Sequence, residues 1–124
     1  MDYHCGMRVA KGSQYGTNVP AAVVSACPVE RAIHVIGGKW KLLLLRSLLL
    51  KGPQGYNQLL ASVDGISAKE LTRNLRELAA SGLIARDLGT SARIAPYFLT
   101  KPGKELMPVF KRLLVWGQKS LPAA

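Results

Sequence analysis

The spacing of apolar and polar residues is most regular between Gly65 and Leu83, where it follows the period of an α-helix. Three leucines fall on one face of the predicted helix, and three basic residues fall nearly opposite. The leucines are Leu71, Leu75 and Leu78, and the basic residues, which we call the basic stripe, are Lys69, Arg73 and Arg76. Thr72 and Asn74 flank the basic stripe. The pattern predicts a helix that packs through its leucines and exposes its cations.

Both ends of this helix carry recognisable signals. Ser67 followed by Glu70 is a capping box, in which each side chain bonds to the backbone amide of the other residue. Ile66 precedes the cap and can pack against Leu71, one turn into the helix. Gly82 suits the position just after the helix, where a positive φ costs glycine little.

Two helices are predicted near the start of the ordered chain. The first begins at Cys27 with Pro28 in its first turn, and Gly37-Gly38 ends it. The second runs from about Lys39 to Lys51 and is apolar around most of its circumference. This distribution predicts that the second helix is the central buried one.

A tight turn joins a short third helix, Tyr56 to Ser62, to the helix with the basic stripe. Asp64-Gly65 supplies this turn, and two helices joined in this way are typical of a helix-turn-helix, whose second helix reads DNA. Arg and Thr can contact base edges in a major groove, and Lys and Asn can contact phosphates. The same face can also be interpreted as a solvated surface of mixed charge, because Glu70 and Glu77 lie on it.

A basic β-hairpin is predicted directly after the reader helix. Leu83 to Asp87 has β-like composition, and Arg93 to Leu99 is a return strand with a break or bulge at Pro96. A hairpin in this position is a wing, and Arg86 and Arg93 could lie against phosphates or enter the minor groove. For either arginine taken alone, simple solvent exposure is the more common outcome.

A last helix is predicted from Thr100, its cap, through Trp116. Pro108 lies within it and should kink the helix or delay its regular part. Its apolar residues repeat at helical spacing: Leu106, Val109, Phe110, Leu113 and Leu114. So long an apolar stripe predicts a partner subunit, and the alternative is that it packs back on its own domain. We favour the dimer, because pairing gives the reader helix two half-sites.

Length and composition set the domain organisation. The chain has 124 residues, 48% of them hydrophobic, which supports one compact domain with a core of its own. Residues 1–26 show no sustained period and are expected to form a flexible N-terminal arm. Residues 27–124 are expected to form the domain for DNA binding and dimerisation. The predicted fold class is mainly α with a small β-wing (α+β).

The charge balance indicates the class of partner. The chain has 17 Lys and Arg against 7 Asp and Glu, a formal net charge of +10. Such an excess favours an anionic polymer, and double-stranded DNA is the partner that the helix-turn-helix would bind. A charged surface for solubility alone is the other explanation, although a small domain seldom needs so much charge of one sign.

Other chemistry has little support in the sequence. The two cysteines and two histidines lack the paired spacing of a zinc site, so neither a metal nor a cofactor is expected. The apolar run Leu42 to Leu50 is interrupted by Arg46 and is too short to span a bilayer, and a cytoplasmic protein is the default expectation. An enzyme that uses Cys27 would need a base nearby, and His34 lies two turns along the helix. Catalysis is therefore not expected.

Three stretches resemble one known family in the same order along the chain. C-P-V-E-R-A-I-H-V-I-G-G-K-W-K-L-L-L-L-R (27–46) resembles the opening signature of the HxlR family of bacterial and archaeal transcriptional regulators. G-I-S-A-K-E-L-T-R-N-L-R-E-L-A-A-S-G-L-I (65–84) resembles its recognition-helix block, and Y-F-L-T-K-P-G-K-E-L (97–106) its wing exit and the start of its dimerisation helix. The resemblance covers about residues 27–117. Ala95-Pro96 departs from it, since the family more often has an acidic strand position there.

The resemblance implies a winged helix-turn-helix homodimer joined through its first and last helices. It also implies binding to a palindromic operator, mostly as a repressor and sometimes as an activator. Several members sense electrophiles or oxidants through a cysteine that aligns with Cys27, whereas others are not known to use a thiol.

Cys27 has two interpretations of equal weight. At a helix N-terminus the Cys27 thiolate would be stabilised by unpaired amides and the helix dipole, and Arg31 could add to this stabilisation. The pKa of the Cys27 thiol would then be lowered. Alternatively Cys27 is a small buried residue that packs an interface without reacting. An aromatic effector could also bind between the dimer helices near Trp40 and Phe110.

The sequence thus predicts a sequence-specific DNA-binding regulator that acts as a dimer, and a switch by thiol modification of Cys27 is one of the two open interpretations of that residue. The residues predicted to contact DNA lie on the reader helix and the wing, and they are Ser67, Lys69, Thr72, Arg73, Arg76, Arg86 and Arg93. Among these residues, Arg73 is the one that we expect to contact a guanine. The alternative function is a winged-helix module that binds another protein and has no specific affinity for DNA.

Overall fold

The computed structural model describes residues 26–89 and 95–123. The chain divides into two compact units, residues 1–38 and residues 39–124. The predicted N-terminal arm, with Cys5, lies almost wholly outside the described residues, so a domain boundary at residue 26 stays a prediction. Within the described ranges, no helix combines the length and the apolar character that a membrane crossing requires.

The described part of the first unit is a single helix, α1 (Pro28–Ile36). Cys27 is its N-cap in an extended conformation, and the Gly37 amide donates to the carbonyl of Ile33 at the other end. Both predicted ends are confirmed. No residue within α1 is buried, and Val29 and Ile33 are each more than half exposed.

The second unit contains five helices and a two-stranded antiparallel sheet among its described residues. In chain order they are α2 (Lys39–Lys51), α3 (Tyr56–Ser62), α4 (Ala68–Ala80), β1 (Ile84–Arg86), β2 (Tyr97–Leu99), α5 (Lys101–Lys104) and α6 (Met107–Ser120). The mainly helical fold with a small β-wing is confirmed. The helix-turn-helix is α3 and α4, joined at Gly65, which has a φ of +87°.

The apolar core of this unit forms around α2, which contacts α3, α4 and β2. Leu44, Leu45 and Leu48 of α2 are almost fully buried, which confirms its central position. The leucines that meet them from the other elements are Leu59, Leu71, Leu75, Leu78 and Leu99. Towards its C-terminal end, α2 buries only one of its sides, since Leu50 is 70% exposed.

A polar cluster inside this core attaches the helix-turn-helix to the wing. The Gln54 side chain donates to Ser47 Oγ at 3.0 Å and accepts from Ser62 Oγ at 3.1 Å. The Gln54 backbone forms two hydrogen bonds with Tyr97, the first residue of β2. Because each of these buried polar groups has a partner, the cluster fixes the wing to α2 and α3 without leaving an unsatisfied atom.

Among the described residues, the wing ladder covers three residue pairs. Its strands pair with Ile84 opposite Leu99 and Arg86 opposite Tyr97, so the described part of the return strand follows the break that the sequence predicts at Pro96. Pro96 lies just outside the ladder, where its missing N–H removes no bond and its carbonyl accepts from the Asp87 amide. Arg93 lies outside the described residues.

The predicted last helix is two helices. Thr100 caps α5 as expected, with its Oγ1 accepting from the Gly103 amide, but α5 stops after one turn and α6 begins at Met107. Pro108 explains the break, since a continuous helix would need an N–H at 108 for the carbonyl of Lys104. Placed in the first turn of α6, the same proline removes no helical bond. α6 continues to Ser120, beyond the predicted Trp116.

Candidate nucleic-acid interface

Helix α4, which the sequence predicts to read DNA, is held at its start by the predicted capping box. The Glu70 amide donates to Ser67 Oγ at 3.1 Å, and the Ser67 amide donates to Glu70 Oε1 at 3.2 Å. The Ser67 hydroxyl also donates to Glu70 Oε1 at 3.1 Å. These bonds satisfy two amides that a helix start leaves without partners, and they confirm the predicted cap.

The end of α4 is fixed by a Schellman motif. Gly82 has a φ of +81°, its amide donates to the carbonyl of Ala79, and the Leu83 amide donates to the carbonyl of Leu78. Gly82 is the predicted residue after the helix. Both ends of the helix are therefore determined by local hydrogen bonds, which sets the length of the face that it presents.

The two faces of α4 separate as predicted. Leu71, Leu75 and Leu78 are at most 3% exposed, whereas all three residues of the basic stripe are exposed. Asn74 differs from the prediction, because it is buried and its side chain donates to the carbonyl of Glu70 at 2.7 Å. The short amide satisfies a backbone acceptor inside the helix, so Asn74 is unavailable for phosphate contacts.

Thr72 is exposed, but its hydroxyl is already engaged. Tyr56 Oη lies 2.9 Å from Thr72 Oγ1 and donates to the carbonyl of Ala68 at 3.0 Å. Since Tyr56 has one hydroxyl proton, and a carbonyl can only accept, the proton between the two hydroxyls comes from Thr72. The Thr72 methyl group remains the part best suited to touch a base.

Two consecutive residues of α2 contact two acidic residues of α4. The Trp40 indole N–H donates to Glu70 Oε2 at 3.1 Å, and Lys41 Nζ lies 3.0 Å from Glu77 Oε1. The Ser67 backbone amide is the main cause of a lowered pKa at Glu70, and the Lys41 hydrogen bond is the main cause of a lowered pKa at Glu77. Glu77 Oε1 also lies 3.6 Å from Arg73 Nη1.

The sequence did not predict these contacts, although two signals were present. Lys41 interrupts an otherwise apolar segment of α2, and Glu77 follows Arg73 by four residues, the spacing of a helical ion pair. Tyr56 and Trp40 gave no signal, because their partners are distant in the sequence.

The wing contributes one described arginine to the candidate interface. Arg86 is exposed, its Nε donates to the carbonyl of Ala95 at 3.2 Å, and its guanidinium lies 5.1 Å from the centre of the Tyr97 ring. These contacts hold the guanidinium on the hairpin. The predicted contact by Arg93 lies outside the described residues.

Cys27 is 2% exposed, at the N-cap of α1. Arg31 Nη1 makes a long contact of 3.5 Å with the carbonyl of Ala26, the residue before Cys27. Among the described residues, no three His, Cys, Asp or Glu side chains come together as a metal site. Trp40 packs at the start of α4, and a pocket between it and Phe110 in a dimer stays a prediction.

Known sequences and structures resemble this chain over most of the described residues. The family model described as HxlR-like helix-turn-helix matches residues 35–124. An uncharacterized HTH-type transcriptional regulator of Methanothermobacter thermautotrophicus is 39% identical over 95 residues, covering 74% of this chain and 70% of the relative. The uncharacterized HTH-type transcriptional regulator YdeP of Bacillus subtilis is 38% identical over 96 residues, covering 75% and 73%.

Two solved structures show the same fold. The redox regulator HypR in its oxidized form superposes with a TM-score of 0.68 at 33% identity, covering 78% of this chain and all of that one. The reduced form of the transcriptional regulator YodB from Bacillus subtilis superposes with a TM-score of 0.67 at 28% identity, covering 79% and 98%.

Proposed function

The chain belongs to the HxlR-like helix-turn-helix family of DNA-binding transcriptional regulators, and on that premise we propose that it represses transcription by binding a palindromic operator as a homodimer. One observation supports this proposal above the others. The basic stripe is exposed on a helix whose opposite face is buried and whose two ends are fixed by hydrogen bonds. A rigid cationic helix of this kind suits the major groove.

In the proposed complex, α4 lies in the major groove with the basic stripe facing the DNA. Arg73 contacts O6 and N7 of a guanine, a pairing for which the guanidinium has the right geometry. The other contacts are to phosphates, to a thymine methyl group or to the adjacent groove, and they come from Ser67, Lys69, Thr72, Arg76, Arg86 and Arg93. The phosphate contacts set the position of the helix, and Arg73 supplies sequence discrimination.

We propose that α1 and α6 join two copies, so that two reader helices meet half-sites about 34–36 Å apart. Both helices carry exposed apolar side chains, among them Ile33 of α1 and Leu113 of α6. A two-fold axis between the copies would make the operator a palindrome, because the same contacts would repeat in opposite orientation.

We further propose that Cys27 switches DNA binding. HypR is a redox regulator, and YodB has been solved with a bound quinone and after diamide treatment. The Cys27 thiol gives up its proton and its sulfur adds to a ring carbon of the quinone, so that one S–C bond forms and the C=C π bond breaks. One carbonyl oxygen takes the electron pair and a proton, and the ring hydrogen at the new S–C bond moves to the other oxygen as a proton. The product is a thioether hydroquinone, and no further oxidant is needed. Because Cys27 is 2% exposed, an adduct there displaces the groups that cover the thiol. We propose that α1 moves in response and that this movement alters the spacing of the reader helices.

The experiment selects DNA sites from a random library with the purified protein and then measures affinity at about 0.15 M salt. Wild type should select a palindrome. Arg73→Ala should lose about 1–3 kcal/mol of binding free energy and relax the preference at one position of each half-site. Arg46→Ala, an exposed arginine on α2, should leave the selected sequence unchanged.

The same assay with added quinone tests the switch. Wild type should lose affinity for the operator, Cys27→Ser should keep it, and Cys5→Ser should respond as wild type does. Specific binding that is indifferent to quinone in all three proteins would refute the thiol switch alone. Failure of wild type to select any sequence would refute the operator and favour a protein-interaction module.

A further inference from the structure

One carboxylate on the reader helix stands between two cations. Glu77 Oε1 accepts from Lys41 Nζ at 3.0 Å and lies 3.6 Å from Arg73 Nη1. Lys41 belongs to the central helix α2, and its side chain is only 15% exposed, whereas the side chains of Glu77 and Arg73 are 43% and 54% exposed. The three groups thus form a chain of contacts from the core to the surface of α4.

This arrangement differs from an ordinary ion pair on a helix surface. An isolated pair four residues apart contributes little, because both side chains are mobile and solvated. Here the carboxylate is held by a largely buried lysine on another helix, so that less rotamer freedom remains to be lost when Arg73 pairs with it. The Lys41 hydrogen bond and charge keep the Glu77 carboxylate ionised.

We propose that Glu77 is a positioning and specificity-determining residue for DNA reading, which holds the Arg73 guanidinium at the angle needed for one guanine. This inference rests on the proposed function. The contact uses Arg73 Nη1, and the guanidinium has five N–H donors, so one edge stays available for O6 and N7 of guanine. A side chain that is already oriented loses less entropy when it binds.

Glu77 has a second effect on the choice of DNA. Its half-exposed negative charge lies within the cationic face and opposes any binding that depends only on phosphates. Correct sequences recover this cost through the Arg73 contact, and incorrect sequences do not. The carboxylate therefore widens the ratio between specific and non-specific affinity, in the way that a repulsive element adds selectivity.

The test compares Glu77→Gln with wild type in the site-selection and affinity assays. Glu77→Gln should relax the preference at the position that Arg73→Ala relaxes, and non-specific affinity should rise several-fold with the lost negative charge. The ratio of specific to non-specific affinity should fall about tenfold. Glu105→Gln, which removes the same charge from an exposed residue at the end of α5, should leave the selected sequence unchanged.

Two further variants separate orientation from charge and from folding. Glu77→Asp keeps the charge on a shorter side chain, so it should relax the same base position without raising non-specific affinity. In the Arg73→Ala background, Glu77→Gln should cause no further change at that position. Thermal unfolding of each variant shows whether the helix is intact, and Glu77→Asp supplies the test if Glu77→Gln does not fold.

The outcomes distinguish this inference from the proposed function. If wild type selects no sequence, the proposed function fails. If wild type selects a palindrome and both Glu77 variants select it with equal discrimination, DNA reading stands and the positioning role of Glu77 is wrong. A uniform rise in affinity for all sequences would likewise overturn it, because Glu77 would then act only through its charge.

Discussion

At the scale of single residues, two glycines are required for different physical reasons. Gly82 has a φ of +81°, which L-residues with a Cβ rarely adopt, but no atom beyond the adjacent residues lies within 4 Å of the place where a Cβ would be. Gly103 has no positive φ, yet a Cβ there would collide with the carbonyl oxygen of Leu83 and lie 3.0 Å from Leu99 Cδ2. The first position restricts the backbone angle, and the second restricts volume.

These reasons predict different responses to substitution. Gly82→Ala should lower the free energy of unfolding by about 1–2 kcal/mol, and Gly82→Asn should lower it less, because asparagine tolerates a positive φ. Gly103→Ala should cost about 1–3 kcal/mol as α5 is pushed from the wing, and Gly103→Asn should cost at least as much. Urea unfolding at a fixed protein concentration measures all four. A milder effect of asparagine at Gly103 would contradict the steric explanation.

At the scale of elements, local signals were sufficient where a structure depends on neighbouring residues. The capping box at Ser67, the glycine after α4 and the bounds of α1 to α4 follow from hydrogen bonds within a few residues. The exposed basic stripe follows from the helical period alone. These features place most of the candidate interface on α4 without any knowledge of tertiary contacts.

Other features depend on residues that are distant in the sequence, and the sequence did not reveal them. In the sequence, Gln54 has the character of a polar loop residue. In the structure it is 4% exposed and forms hydrogen bonds with Ser47, Ser62 and the backbone of Tyr97. Asn74 appeared to flank the basic stripe, and its bond to a backbone carbonyl places it inside. Helical periodicity gives the direction of a side chain to within a fraction of a turn, and polar partners decide the rest.

The contacts between α2 and α4 predict how stability depends on pH. The pKa values of Glu70 and Glu77 are lowered in the fold from about 4.5. Lowered values mean that both carboxylates stabilise the fold fully above about pH 4.5, and that this stabilisation is lost as the pH falls through the folded pKa values. The chain has only 7 acidic residues, so these two should account for a visible part of the acid response.

The double variant Glu70→Gln/Glu77→Gln should therefore lose less stability than wild type between about pH 5 and pH 3. The measurement is the urea midpoint at half-unit steps of pH. Glu105→Gln is the control for removal of a carboxylate at an exposed position. Parallel curves for wild type and the double variant would show that the Trp40 and Lys41 contacts do not favour the ionised carboxylates.

At the scale of the whole molecule, the feature left unexplained by a single chain is the surface of α6. No residue of this helix is buried, and five of its large apolar side chains are exposed: Val109, Leu113, Leu114, Val115 and Trp116. Leu113 is 47% exposed and lies at the centre of an apolar face that includes Val109 and Trp116, by the period of 100° per residue. An amphipathic helix that finds no core in its own chain is typical of an interface between copies.

The helix offers a matched pair of residues to test this interface. Val115 is 46% exposed, nearly the same as Leu113, but two residues along the helix place it about 200° away, between Lys111 and Lys119. Leu113→Asp and Val115→Asp thus introduce the same charge at similar exposure on opposite faces.

If the apolar face of α6 joins two copies, only Leu113→Asp places an unpaired carboxylate in the interface. We expect Leu113→Asp to sediment as a monomer with an intact circular dichroism spectrum, and Val115→Asp as a dimer.

Only a dimer binds the two half-sites of an operator together. Leu113→Asp should therefore also lose about 100-fold or more in operator affinity, whereas its affinity for a single half-site should stay near that of wild type. Dimers from both variants would move the interface away from α6. Monomers from both would show that added negative charge, and not the apolar face, controls association.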